Sequence, residues 1–387
     1  MNFPNIISSK LPNASTSIFT VMSKMAAENN AINLSQGFPD FNCNETLINL
    51  VNKYMQKGFN QYAPMPGLMS LREVLAEQIE DLYSAKYDPE TEITITAGAT
   101  QAIFTAITAI VHEGDEVIVF EPAYDCYQPA IELNGGKVVY LQLKEDTYTI
   151  NWDQLKKVIN HRTKMIIINT PHNPTGAIMT VEDMKQLENL TKDSEIIIIS
   201  DEVYEHIIFD NNKHQSVARF PNLAARSFII SSFGKTYHTT GWKMGYCLAP
   251  QNLMVEFRKV HQFLVFSVNT PIQYALAEFL KDKKQYTSLG KFYQEKRDYF
   301  ISLIKGSAFK YTPAEGTYFQ LLDYSNLSLE KDKEYAIYLT QKKGIASIPI
   351  SSFYHDVIDS KVLRFCFAKK NETLEKAAEL LTKIKVQ

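Results

Sequence analysis

Between about residues 90 and 230 the chain keeps repeating one pattern: a short apolar run, a polar turn, then a stretch with helical spacing. The runs are Ile93–Thr96, Glu116–Phe120, Val138–Leu141, Met165–Ile168, Glu195–Ile199 and Phe228–Ile230. They are rich in Ile and Val and do not alternate with polar residues, which is how strands buried on both faces read. Helical stretches such as Gln101–His112 and Val181–Thr191 lie between them. Strands with no wet face, alternating with helices, call for a largely parallel sheet covered on both sides. An α/β fold with an α/β/α large domain is therefore expected.

After about residue 275 the rhythm fades. Helical stretches dominate there, Gln273–Lys281, Gly290–Leu303 and the amphipathic Glu372–Lys385, with strand candidates Gly316–Leu322 and Val362–Phe367 among them. This reads as a smaller α+β domain, joined to the first by a long helix within 250–300. Near the start, Ile18, Val21, Met22, Met25 and Ala26 recur at helical spacing. The expected division is an arm at 1–40 packing with the small domain, a large domain at 41–275 and a small domain at 276–387. A length of 387 residues suits about two domains.

Several function classes fall away. The formal net charge is −3 and no basic run occurs, so neither nucleic acid nor an anionic membrane is an expected partner. Cys43, Cys126, Cys247 and Cys366 are far apart and form no CxxC, and the eight histidines give no HExxH. No metal site and a reducing, cytoplasmic setting are expected. The longest aliphatic run, Ile196–Ile199, is far too short to span a membrane, and MNFPNIISSK lacks the pattern of a secretory signal.

In open parallel sheets, ligands bind beyond the carboxyl ends of the strands, so unusual residues are sought there. Ile93–Thr96 runs into Ala97-Gly98-Ala99-Thr100, and Met165–Ile168 into Asn169-Thr-Pro-His-Asn173-Pro-Thr-Gly176. Glu195–Ser200 runs into Asp201-Glu-Val-Tyr204, and Phe228–Ile230 into Ser231-Ser232-Phe-Gly-Lys235. Small residues ahead of a helix suit a phosphate, although an ordinary structural turn reads the same way. Asp201, just after four isoleucines, needs a partner: a helix N-terminus, a salt bridge, or a ring nitrogen that must stay protonated. Lys235 follows a buried strand rather than lying on a solvated surface, and burial would free its amine to form a Schiff base. There is no GxGxxG and no GxxxxGK[ST].

The ordered set Gly98-Ala-Thr, Asn173-Pro-Thr-Gly, Asp201-Glu-Val-Tyr204, Ser232-Phe-Gly-Lys235, Thr240-Gly-Trp-Lys-Met-Gly245 and Arg364-Phe-Cys-Phe resembles class I aminotransferases of the pyridoxal-phosphate (PLP) fold type I. The motifs keep the family's order over residues 30 to 370. The resemblance implies pyridoxal 5'-phosphate as cofactor, with Lys235 bound to it and shuttling a proton, and Asp201 paired with the pyridinium nitrogen. It implies that Tyr204 and Asn173 bond the ring oxygen and that Tyr124 stacks on the ring. It gives the phosphate to Ala99, Thr100, Ser232 and Lys243, together with Tyr62 of a second subunit, and hence implies a homodimer. Lys243 stands where the family often has Arg, which keeps the charge without the fork. Arg364 would hold the substrate carboxylate through its planar guanidinium, the alternative being a surface salt bridge.

Ser35-Gln-Gly-Phe-Pro-Asp40, Tyr62-Ala-Pro-Met-Pro-Gly67 and Glu121–Tyr127 resemble the branch containing methionine and kynurenine/glutamine aminotransferases, and Val260–Pro271 is closer to the methionine type. The implied substrate contacts are Gly37, Phe38 and Phe266, the last reading equally as core packing. Transfer of the amino group of methionine or an aromatic amino acid to a 2-oxo acid is the expectation. A PLP-dependent carbon–sulfur β-lyase is the alternative, and a non-catalytic PLP-binding sensor a more distant one.

Overall fold

The structure, a computed structural model, describes residues 6–356 and 358–386. The first five residues of the expected arm, including the start of the segment read for a signal, lie outside it.

Seven strands form the main sheet: Ile93–Thr96 (β1), Glu116–Glu121 (β2), Lys137–Gln142 (β3), Thr163–Asn169 (β4), Ile197–Asp201 (β5), Ser227–Ser232 (β6) and Gly245–Leu248 (β7). Their order is β1-β7-β6-β5-β4-β2-β3. All neighbours pair in parallel except around β7, which runs against both β6 and β1. Successive residues of each strand face opposite cores. Ile166, Ile168 and Ile198 join one cluster with the helix Met69–Tyr83, while Met165, Ile167 and Ile199 join another with the helix Ala99–Ile110. Both faces being covered explains the unbroken apolar runs.

The expected strands all form, with shifted ends. Glu195 and Ile196 precede β5, which instead runs on to Asp201, so the carboxylate is the last residue of the strand. β7 was not expected, because Gly-Tyr-Cys-Leu is short and reads as the tail of the preceding motif. The expected single linking helix is four helices, Gln251–Leu264, Thr270–Phe279, the short Lys284–Thr287 and Leu289–Ile304. The first break has a local cause. Phe266 takes a left-handed φ of 67°, and Asn269 then caps a new helix by accepting from the Ile272 amide, with Pro271 in its first turn. Val181–Thr191 forms as expected, closed by a capping box between Thr180 and Asp183.

A three-stranded antiparallel sheet, Phe319–Asp323 (β8), Ile348–Pro349 (β9) and Val362–Cys366 (β10), has the order β9-β10-β8. The helix Ile18–Glu28 contributes Met22 to the core of this second region. Ile32–Asn33 pairs in parallel with Ile345–Ala346, and Leu34 accepts from the Cys366 amide at 2.8 Å. Asp40 accepts from the Lys370 amide and the Thr373 hydroxyl, each at 2.6 Å. It thereby caps the helix Asn371–Thr382, whose own N-cap residue Lys370 offers no capping side chain.

At Gly245, an added Cβ would lie 2.7 Å from the Ser231 carbonyl oxygen and 3.0 Å from the Ala99 nitrogen, whereas Gly241 has open space. Gly245→Ala is expected to cost about 1–3 kcal/mol and Gly241→Ala far less. Thermal denaturation of the two variants side by side checks this.

Candidate active site

The carboxyl ends of β4, β5 and β6 and the turn after β1 open into one cavity of about 140 Å³, roughly ten times what one water requires. Ala99, Thr100, Tyr124, Asn173, Asp201, Tyr204, Ser232, Lys235 and Lys243 all line it. Four stretches distant in sequence meet here because parallel strands present their ends at one edge.

Asp201 is 4% exposed. Its partners are neutral: the Tyr127 hydroxyl donates at 2.6 Å and the Val203 amide at 3.4 Å. Burial pushes the carboxyl up to about 6, against those hydrogen bonds. Lys235 Nζ donates to the Gly37 carbonyl at 3.2 Å and to the Tyr318 hydroxyl at 3.1 Å, and lies 5.5 Å from the Tyr204 ring centroid. Burial lowers its amine to about 8, so near neutral pH a small but useful fraction is unprotonated and nucleophilic.

The helix Ala99–Ile110 starts beside Lys243. Its N-cap is Gly98 at φ 82°, with no capping side chain, and its first turn holds no acid. A Cβ at Gly98 would lie 3.6 Å from Lys243 Nζ. An ammonium beside the positive end of a helix is unfavourable until an anion joins them. This corner therefore fits a phosphate. Asp201 likewise fits a cationic ring nitrogen and Lys235 an aldehyde, so the residues present suit PLP.

Arg364 is 1% exposed and forms no salt bridge among the described residues. It donates to Asn173 Oδ1 at 2.6 Å and to the Ser35 carbonyl at 3.1 Å, while its Nε has no partner. Its guanidinium sits 3.8 Å from the Phe319 ring centroid, with Phe353 and Phe19 at 5.1 and 5.2 Å. Burial lowers its pKa to about 10, which leaves it charged at neutral pH. The surface salt bridge considered from the sequence is thus replaced by a buried cation with a donor to spare.

Gly37 touches the site through its carbonyl, and a Cβ there would lie 2.8 Å from Phe319. Five expected site residues do not line this cavity: Gly37 and Arg364 reach it through Lys235 and Asn173, and three others stand apart from it. Phe38 is 45% exposed, its carbonyl held by Lys369 Nζ at 2.7 Å. Tyr62 and Phe266, 82% and 48% exposed, pack edge to face at 5.3 Å on the surface. Core packing of Phe266, read as an equal possibility from sequence, is excluded by that exposure.

Sequence reasoning missed three participants. Tyr127 bonds Asp201. Asn169, cross-strand partner of Asp201, donates to the Asp201 carbonyl and accepts from the Asn173 amide. Tyr318 joins Lys235 to Gly37. Asn169 ends a strand and could have been found by position, but nothing distinguishes Tyr318 among 21 tyrosines.

A family model for aminotransferases of class I and II matches residues 29–381. Methionine aminotransferase of Escherichia coli (strain K12) is 47% identical over 384 residues, covering 99% of this chain and all of that protein. Kynurenine–oxoglutarate transaminase of Dictyostelium discoideum is 34% identical, covering 95% of this chain and 94% of that one. Among solved structures, Escherichia coli YbdL, described as having a methionine aminotransferase function, superposes with a TM-score of 0.96 at 48% identity over 98% of this chain and 100% of its own. Thermus thermophilus aspartate aminotransferase with maleate superposes with a TM-score of 0.90 at 26% identity, over 98% and 100%.

The lowered Lys235 pKa has a stability consequence. With a folded value near 8 against 10.5 ordinarily, the protonated amine opposes folding fully below pH 8, and that cost fades between pH 8 and 10.5. Lys235→Met is therefore expected to raise the melting temperature of the cofactor-free protein at neutral pH. The gain should disappear as pH approaches 10.5, which calorimetry across that range checks.

Proposed function

Since this chain belongs to the class I and II aminotransferases, with their fold type I architecture, we propose that it transfers the amino group of methionine, or of aromatic amino acids, to a 2-oxo acid using pyridoxal 5'-phosphate. The observation that carries the cofactor reading is the convergence in one cavity of a buried, readily deprotonated Lys235 and an Asp201 bonded only by neutral partners.

When bound, PLP supplies an aldehyde for Lys235 and an electron-withdrawing ring for the substrate α-carbon. Asp201 holds a proton at the ring nitrogen. Tyr204 and the Asn173 amide donate to the ring oxygen; the Asn173 Oδ1 already faces Arg364, which leaves its NH₂ for this task. Tyr124 covers the ring face. The Ala99 and Thr100 end of the helix, Ser232 and Lys243 hold the phosphate. Arg364 takes the substrate carboxylate, its position fixed by the aromatic rings around it. Lys235 Nζ then takes up the proton leaving the substrate α-carbon, a role suited to an amine poised near neutral pH.

Tyr62 and Phe266 serve the site of a second copy in a homodimer, with Tyr62 reaching that copy's phosphate. Their exposure as a packed aromatic pair supports this. Gly37 borders the substrate side through its carbonyl. The cytoplasm is the proposed setting, supported by four free thiols. The division into an arm at 1–40, a large domain at 41–275 and a small domain at 276–387 draws support from a second core that takes in Met22 and Leu34 of the arm, although Leu276–Tyr286 pack in the first core and Val203–Phe209 in the second. The methionine preference rests on the Escherichia coli relatives. The lyase and sensor alternatives have no supporting observation.

Borohydride treatment of the yellow enzyme should leave the cofactor on the Lys235 peptide. In a donor panel, kcat/KM for methionine should exceed that for aspartate by about tenfold or more. A lead for aspartate or alanine overturns the preference. Arg364→Ala should weaken kcat/KM about a hundredfold, as loss of charged hydrogen bonds predicts.

A further inference from the structure

Asp201 and Tyr204 face the cavity, whereas Glu202 and Glu205, from the same five residues, turn into the protein on the other side. Glu202 is held by the Ser200 hydroxyl at 2.7 Å, the Val217 amide at 3.0 Å and His214 Nε2 at 2.7 Å. Glu205 is 5% exposed and accepts three hydroxyls: Tyr83 at 2.5 Å, Ser231 at 2.5 Å and Tyr246 at 2.8 Å. Those hydroxyls come from three different elements. Ser231 and Tyr246 are cross-strand partners of β6 and β7, directly before the Ser232–Gly245 pair. Ser232 and Lys235 follow on one chain, and Lys243 lies two residues before Gly245 on the other. Tyr83 anchors the group to the helix Met69–Tyr83.

We propose that Glu205 is a positioning residue for the transamination site, clamping the Asp201–Tyr204 turn to the strands that carry Lys235 and Lys243. The proposal rests on the reading of those four residues as the cofactor site. A buried carboxylate that accepts three O–H donors has its lone pairs directed along fixed lines, which no amide can copy, because an amide NH₂ would have to be met by a hydroxyl turned to accept. Burial alone would raise the Glu205 carboxyl; the imidazoles of His206 and His214, with the Ser231 and Tyr83 hydroxyls, outweigh it and hold it below the usual range. The groups facing it are thus Tyr83, His206, His214, Ser231, Tyr237 and Tyr246, and none of them lines the cavity. Glu205 therefore acts only through the residues it holds.

The test uses the full-length holoenzyme and its Glu205→Gln, Glu205→Asp and Tyr246→Phe variants. For each, the pH midpoint of the visible cofactor band, kcat and KM for methionine, and hydrogen exchange of the 198–210 peptide without cofactor are measured. Glu205→Gln is expected to keep the cofactor, shift the band midpoint by about half a pH unit or more, lower kcat about tenfold with KM within about threefold, and speed exchange of the peptide. Tyr246→Phe should move the same quantities in the same direction by less, and Glu205→Asp should lie nearer wild type than Glu205→Gln. A Glu205→Gln enzyme with wild-type midpoint and kcat, whatever its melting temperature, overturns the proposal. Should Glu205→Gln fail to fold, wild-type values in Tyr246→Phe overturn it equally. A wild-type protein with no visible band would instead defeat the cofactor reading itself.

Discussion

Asp201, Lys235 and Arg364 are ionisable groups placed where little water reaches, and the way each is stabilised accounts for much of their surroundings. Burial drives all three toward their neutral forms. Arg364 resists through hydrogen bonds to Asn173 and Ser35 and through three aromatic rings that bring no competing charge. Asp201 is met by a phenol and an amide, Lys235 by a carbonyl and a phenol. These neutral partners tolerate either protonation state. Lys235, which must hold and release a proton, needs that tolerance, and Asp201 is left without a charged partner until a cationic ring nitrogen supplies one.

The same constraint decides which face of each strand end does what. On the cavity side lie groups of adjustable charge. On the opposite side lie fully bonded carboxylates, Glu202 and Glu205, each tied to neighbouring elements. The turn that follows β5 separates the two functions within five consecutive residues, Asp201 and Tyr204 facing the cavity and Glu202 and Glu205 facing away, so the sheet can be rigid behind the cavity and responsive within it.

Much of this was legible in the sequence because the sheet is buried on both faces. Unbroken runs such as Met165–Ile168 have few other uses, and the residues ending them had to meet at one edge. β7 escaped because Gly-Tyr-Cys-Leu is too brief to show a period, and its antiparallel direction leaves no pattern of its own. The expected linking helix is interrupted within Val265–Asn269, where one left-handed residue and an Asn cap intervene. Tyr318 could not be singled out, since a tyrosine that bonds a lysine and one that fills a core look alike in sequence. Phe266 shows a different limit: its separation from this chain's cavity is a matter of where the backbone carries it, which the residue type does not encode, whereas Tyr62 was read from the start as belonging to a second subunit's site.

The stitching of residues 32–40 to the far end of the chain bears on how the protein is made. Ile32–Asn33 pairs with Ile345–Ala346, Leu34 bonds Cys366, and Asp40 caps a helix that starts at Asn371. During vectorial synthesis this early segment leaves the ribosome with its partners still untranslated, while the β1–β7 sheet can already assemble behind it. Gly37, which touches Lys235, lies within that waiting segment. The nascent enzyme therefore completes the edge of its pocket only after residues 345–371 have been made.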